Sequence, residues 1–410
     1  MPRENRAGPA VRSDLEIVPT VYDGEEAFLI RDGLGLIEKP IVVQREALAV
    51  LGLLDGSRTA LDIEAELVRR RGGELIGASL IEELLESLDA THVLDTPRFR
   101  RARRKLIEEY GRAPVREAFL AGQSYPAEEK ALRDYLRGVL ADGAKAGSPA
   151  DPERTLALAA PHIELQTGNR VFGRAYASLR GLSPDIIVLL GTGHSLQDGH
   201  YSLTDKDFQT PLGRVRTDQA CIAALRDAGG PTVAPSDIAH RREHSLEFQI
   251  LFLQELFGRR FSIVPVLCGS FHAELGRAAR PSDIPGVDAF TGALREIVRE
   301  GGGRVLCVAG IDFSHIGPKF GHRDDAAALL AAASRHDGAL IEAARRGDVA
   351  GLWALTRKNG DRYNFCGFSA LATLLEVLPE ARGTVMAYDF WREEPTRSAV
   401  SYAAILFERA

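Results

Sequence analysis

Thr155-Leu156-Ala157-Leu158-Ala159-Ala160-Pro161-His162 is a short apolar run that stops at a proline followed by a histidine. The same grammar recurs in Asp185-Ile186-Ile187-Val188-Leu189-Leu190, closed by Gly191-Thr192-Gly193-His194, and in Arg304-Val305-Leu306-Cys307-Val308-Ala309, followed by Gly310 and then Asp312-Phe313-Ser314-His315. Runs of this length without alternation suit strands buried on both faces of a parallel sheet, although periodicity alone leaves a buried helix open. The helical patterns at Gln219 to Ala228 and Ser245 to Leu256 supply crossovers between them. The predicted fold class is therefore α/β, a doubly wound, mostly parallel sheet flanked by helices.

In an open sheet of this kind the crevice at the carboxyl ends of the strands gathers residues that are distant in sequence. Four metal-competent positions fall at such ends or beside them: His162, His194, the Asp312–His315 segment, and Cys366 in Asn364-Phe365-Cys366-Gly367. Their pattern predicts one mononuclear metal site. A single histidine after a strand has an ordinary reading as a hydrogen-bonded turn residue. His200, His240, His272, His322 and His336 have no comparable context and are assigned surface or capping roles. His244 and Glu247, three apart, share a helix face, so an imidazole–carboxylate hydrogen bond could orient the ring for proton transfer. The alternative is a helix cap in which the dipole favours Glu247. Asp312 and His315 have the same spacing and admit either a proton-transfer or a ligand-orienting role.

The chain has 410 residues, 45% of them hydrophobic, and a net charge of -6. That length suggests two or three domains at roughly 150 residues each. The negative balance argues against general nucleic-acid binding. Met1 to Ala7 lacks the apolar core of a signal peptide, and no apolar stretch approaches the ~18 residues a membrane span needs, which predicts the cytoplasm and no membrane. The four cysteines (Cys221, Cys268, Cys307 and Cys366) form no C-x-x-C pair. Cys366 stands apart because a helix begins beside it near Ser369, and a helix N-terminus favours the thiolate.

Residues 1–97 are expected to form a small separate module. Ala27 to Ile30 and Gly35 to Ile37 flank Asp32-Gly33 as a hairpin would. Thr59-Ala60-Leu61-Asp62 has the form of a capping box with Asp in the last place, opening a helix through Val68. Residues 98–115 follow as a basic linker or helix; Arg98 to Lys105 is the strongest charge run in the chain. A solvated face is the commoner meaning of such a run, and an anionic partner the alternative.

Two resemblances emerge. Leu53-Leu54-Asp55-Gly56-Ser57-Arg58-Thr59 followed by Asp62 to Leu67 resembles the PqqD-like winged-helix family, which implies a peptide-binding module at residues 1–97. From Arg116 onward the chain resembles the Memo family, the proteins named component B of the AmmeMemoRadiSam system. Ala121-Gly122-Gln123-Ser124-Tyr125-Pro126, Ala160-Pro161-His162, Gly191-Thr192-Gly193-His194-Ser195, Thr210-Pro211-Leu212-Gly213, Arg242-Glu243-His244-Ser245-Leu246-Glu247, Asp312-Phe313-Ser314-His315 and Phe365-Cys366-Gly367 carry that resemblance. It implies a fold related to LigB-type class III extradiol dioxygenases over residues 116–410. The implied metal ligands are His162, His194 and Cys366, with Asp312 and His315 in the same pocket and His244 and Glu247 opposite. The resemblance favours Fe(II); Cu and Zn stay open as alternatives because a thiolate softens a site that otherwise resembles the two-histidine, one-carboxylate centre. The implied activity is dioxygenase-like oxidation of a small aromatic substrate. The other reading is a non-catalytic metal-containing adaptor or peptide-binding component, and radical SAM and AMMECR1-like proteins are the expected partners. Ile163-Glu164-Leu165 departs from the family's Ala-Gly-Tyr, and Asn169 from its Gly. Glu164 is left as a fourth ligand, a general base or a surface charge.

Overall fold

The computed structural model describes residues 8–70, 72, 78–145 and 149–410, which leaves the leader reading of Met1 to Ala7 outside the described residues. The chain forms two compact units, Met1–Arg112 and Ala113–Ala410.

In the first unit, strands Leu15–Tyr22, Glu25–Asp32 and Ile41–Val43 make an antiparallel sheet with Glu25–Asp32 in the middle. The hairpin turn is Asp23-Gly24, where φ is 55° and 82°, the left-handed pair that a two-residue turn requires. The expected hairpin about Asp32-Gly33 is thus displaced by one strand. Asp32 instead bends the chain: its carboxylate accepts the backbone N–H groups of Leu34, Leu36 and Ile37 and the guanidinium of Arg12. Four helices follow, Arg45–Leu51, Ala60–Arg70, Ala78–Ala90 and Pro97–Arg112. Thr59 and Asp62 close the capping box in both directions. Ile30, Leu51, Leu54, Ile63, Leu67 and Val93 are among the residues of this unit's own core. The basic run lies within Pro97–Arg112, which turns Phe99 and Tyr110 inward and leaves Arg98, Arg101, Arg104 and Lys105 exposed.

The second unit is built on an eleven-stranded mixed sheet. Its centre is parallel, in the order Thr155–Ala160, Val305–Gly310, Ile186–Thr192, Ser262–Cys268 and Gly213–Thr217, and Ser398–Arg409 runs antiparallel against Thr155–Ala160. Alternate side chains serve two cores. Ala157, Ala159, Val188, Leu190, Val264 and Cys307 face one, which is shared with helices Val287–Gly301 and Phe368–Val377. Leu158, Ala160, Ile187, Leu189, Ile263 and Leu306 face the other, shared with Leu165–Ala177 and His244–Phe257. With apolar cover on both faces, the strands have no polar face to show in sequence. Among the described residues no helix is long and apolar enough to cross a membrane.

Helix His244–Phe257 presses its first turn onto the strand ends. A Cβ on Gly310 would lie 2.3 Å from the Ser245 carbonyl oxygen, and one on Gly191 would lie 2.5 Å from the Ser245 Oγ. Ser245 Oγ donates to the Thr192 carbonyl at 3.0 Å and Gln249 Nε2 to the Pro161 carbonyl at 2.9 Å, tying the helix to both loops. Gly310→Ala should therefore force the helix outward and cost about 1–3 kcal/mol of stability, as overpacking does. Chemical denaturation of native and variant protein measures this, and an unchanged midpoint contradicts it.

Candidate metal centre

The register of the sheet brings the expected residues together. Gly310 pairs with Ala160 on one side and with Gly191 on the other, so three strands end at one level. His162 and Asp312 lie two residues beyond that level and His194 three. His244 arrives on the first turn of the helix packed over the glycines, and Cys366 just ahead of helix Phe368–Val377.

The imidazoles of His162, His194 and His244 form a tight cluster, with ring centroids 5.0, 5.2 and 4.7 Å apart. One nitrogen from each lies within 4.8 Å of the others. Cys366 Sγ is 3.4 Å from His162 Nε2. His162 is buried, whereas the side chains of His194 and His244 are 31% and 35% exposed, so the cluster opens to solvent on their side.

The Nδ1 atoms are all engaged. His162 Nδ1 donates to the Gly310 carbonyl at 2.9 Å, and those of His194 and His244 stand 3.0 and 3.2 Å from Glu243 Oε1. His315 Nδ1 donates to the Phe313 carbonyl at 3.1 Å. An oxygen acceptor on Nδ1 holds a proton there, so Nε2 is the nitrogen that a neutral ring would offer to a metal, the usual support for a ligating histidine.

Glu243 is the residue that sequence reasoning missed. Besides the two rings, its carboxylate accepts the backbone N–H of His194 at 3.0 Å and of Ser245 at 2.9 Å. An acidic residue just before a helix is a recognisable cap, but the spacing pointed to Glu247. Glu247 is taken elsewhere: it accepts the Arg116 guanidinium, the Tyr125 hydroxyl and the backbone N–H groups of Phe119 and Leu120. It pins residues 116–125 to the helix, and the carboxylate partner of His244 is Glu243. Asp312 likewise serves His162, accepting its backbone N–H at 3.1 Å with Oδ2 3.7 Å from Nε2, while His315 turns to Phe313. Glu164 accepts Ser124 Oγ at 3.0 Å, and burial raises its carboxyl pKa.

Charges in the cluster are strongly coupled. Burial pulls His162 down, but Asp312 and Cys366 outweigh it and lift the imidazole to about 9. His194 is held well above its ordinary value by Glu243 and Cys366 against the same burial penalty. His244 falls to about 3 through burial and the neighbouring imidazoles, against the pull of Glu243. Burial opposes the Cys366 thiolate, yet His315 and His162 hold the sulfur well below an ordinary thiol. Burial instead pushes Cys221, Cys268 and Cys307 up to about 12.

The donor set fits a metal ion. Metal–ligand bonds of roughly 2.0–2.3 Å place ligand atoms about 3–4.5 Å apart, and one nitrogen from each of the three imidazoles lies within 4.8 Å of the others, close to that range. The nitrogens that group tightly enough to hold an ion come from His162, His194 and His244, which brings in a histidine not expected as a ligand, while the expected Cys366 lies beside His162 but outside that group.

An imidazole cluster with an adjacent thiol, set at the carboxyl ends of a mostly parallel sheet, defines an α/β protein with a metal-competent crevice. The profile of the Memo-like proteins matches residues 116–406, and the chain belongs to that family. A MEMO1 family protein of Aquifex aeolicus is 26% identical over 393 residues, covering 93% of this chain and 96% of its own length. One of Thermus thermophilus is 30% identical over 352 residues, covering 85% and 99%. One of Methanosarcina barkeri is 28% identical over 297 residues, covering 72% and 100%.

The contrast among the thiols predicts selective chemistry. In metal-free protein at pH 7, iodoacetamide should modify Cys366 and spare Cys221, Cys268 and Cys307, because only the thiolate reacts. Peptide mapping by mass spectrometry checks this; modification of Cys268 or Cys307 ahead of Cys366 would contradict it.

Proposed function

We propose that residues 116–410 hold one mononuclear metal ion, Fe(II) favoured and Cu or Zn the alternatives, and act as a metal-dependent, dioxygenase-like oxidoreductase on a small aromatic substrate. One observation carries the metal reading: three histidines from three separate segments gather their rings beside a thiol, two of them with Nδ1 bonded to an oxygen acceptor. Bound there, such an ion would supply Lewis acidity and an open position for oxygen or a substrate oxygen. The protein's own contributions are geometric and electrostatic. Glu243 orients two rings, and Asp312 holds the backbone of His162 and balances its charge. His315, held by the Phe313 carbonyl and raised in pKa by Cys366 and Asp312 against burial, would hand over a proton. The assignment of oxidative chemistry rests on the resemblance to LigB-type enzymes.

A second reading draws on the first unit. In a peptide-modifying system with radical SAM and AMMECR1-like partners, a PqqD-like module would bind a peptide by strand addition. Glu25–Asp32 is paired on both sides, so the available edges are Leu15–Tyr22 and Ile41–Val43. The outer strand carries exposed Ile17, Val21 and Tyr22, which favours it as the docking edge.

Elemental analysis after anaerobic purification tests the metal reading. Near-stoichiometric metal is expected in native protein, falling at least about tenfold in occupancy in His162→Ala, His194→Ala and His244→Ala. Cys366→Ser should retain some metal with altered spectra. Native protein that stays empty after reconstitution with Fe(II), Cu(I) and Zn(II) would overturn it.

A further inference from the structure

Cys366 is delivered by the loop between helices Val349–Lys358 and Phe368–Val377. Two non-glycine residues of that loop have left-handed backbone, Asp361 at φ 51° and Asn364 at φ 52°. Asn and Asp tolerate this conformation better than other L-residues, and it persists where surroundings hold it.

Both are held by their side chains. The Asp361 carboxylate accepts the backbone N–H of Phe365 at 3.0 Å and stands 2.6 Å from His272 Nε2. The other ring nitrogen of His272 meets Ser270 Oγ at 2.8 Å, which sets the ring. Ser270 and His272 follow strand Ser262–Cys268, whose Cys268 pairs with Thr192 two residues before His194. On the opposite side, the Asn364 amide donates to the carbonyls of His315 and Phe320, both at 3.1 Å. Backbone bonds complete the seam: His315 N–H to the Tyr363 carbonyl at 2.7 Å, and Gly367 N–H to the Asp312 carbonyl at 3.0 Å.

We propose that Asp361 and Asn364 are positioning residues that fix the Cys366 sulfur against the imidazole cluster, and that His272 acts through Asp361. Neither residue belongs to the imidazole cluster itself, and Asn364 is exposed, so its substitution leaves both cores intact. The loop is clasped between the end of one strand and the turn carrying His315, and the thiol stands where the clasp puts it. The inference rests on the metal-centre reading only for the second of its two readouts.

The experiment compares native protein with Asn364→Ala, Asn364→Gly and His272→Ala. The first readout is the rate of Cys366 alkylation in metal-stripped protein at pH 7. The second is Co(II) affinity with the thiolate-to-cobalt absorption of the loaded protein. All three variants should stay folded, with Asn364→Ala alone losing a few degrees of thermal midpoint to its left-handed backbone, yet all should alkylate several-fold more slowly and bind Co(II) about tenfold more weakly, with a diminished thiolate band. A rate that is unchanged or faster in Asn364→Ala and His272→Ala overturns the proposal. Native behaviour of Asn364→Gly alone overturns the part played by the amide, since glycine supplies only the backbone conformation. If native protein binds no Co(II) while the alkylation rates fall as expected, the metal reading fails and the clasp stands.

Discussion

The His194 and His244 side of the imidazole cluster depends on the carboxylate of Glu243. It is 4% exposed and accepts three N–H groups, the His194 imidazole Nδ1 and the backbone amides of His194 and Ser245, with His244 Nδ1 3.2 Å away as a charge partner. A buried carboxylate so surrounded is strongly favoured as the anion, and the charge and hydrogen bond of His194, with the Ser245 amide, keep its pKa low against the burial penalty. Charge-assisted bonds of this kind contribute roughly 1.5–3 kcal/mol each, and an unpaired buried carboxylate would cost several. The same group therefore caps a helix, anchors a turn and aims two rings.

That economy explains why the site was only partly legible in sequence. The three apolar runs announced buried parallel strands because both faces of the sheet are covered, and the residues ending them, His162, His194 and Asp312, converge because Gly310 is in register with both Ala160 and Gly191. Cys366 could be singled out by its place beside a helix start. Spacing misled where a side chain had a choice of partner. Glu247 is three residues from His244, yet Arg116, more than a hundred residues away, claims it. Helical periodicity states which faces coincide, and only the tertiary structure states who bonds to whom.

The first unit teaches a related lesson about turns. Asp-Gly occurs at both Asp23-Gly24 and Asp32-Gly33, and the dipeptide rule applies equally to each. The structure places the hairpin at the former, because the Asp32 carboxylate is spent on three backbone amides and Arg12. A local signal that occurs twice within eleven residues is resolved by strand pairing, here the match of Leu15–Tyr22 with Glu25–Asp32.

The register of the three central strands also says when the cluster can exist during folding. His162, His194 and His244 come from separate crossovers, and Cys366 lies some two hundred residues after His162, so no short fragment of the chain contains the site. Zinc-finger peptides, by contrast, use metal to drive their own folding. Here the sheet must close and the helix must seat on Gly191 and Gly310 before four side chains meet, so the cluster is a late product of assembly and an ion that finds it finds a finished frame.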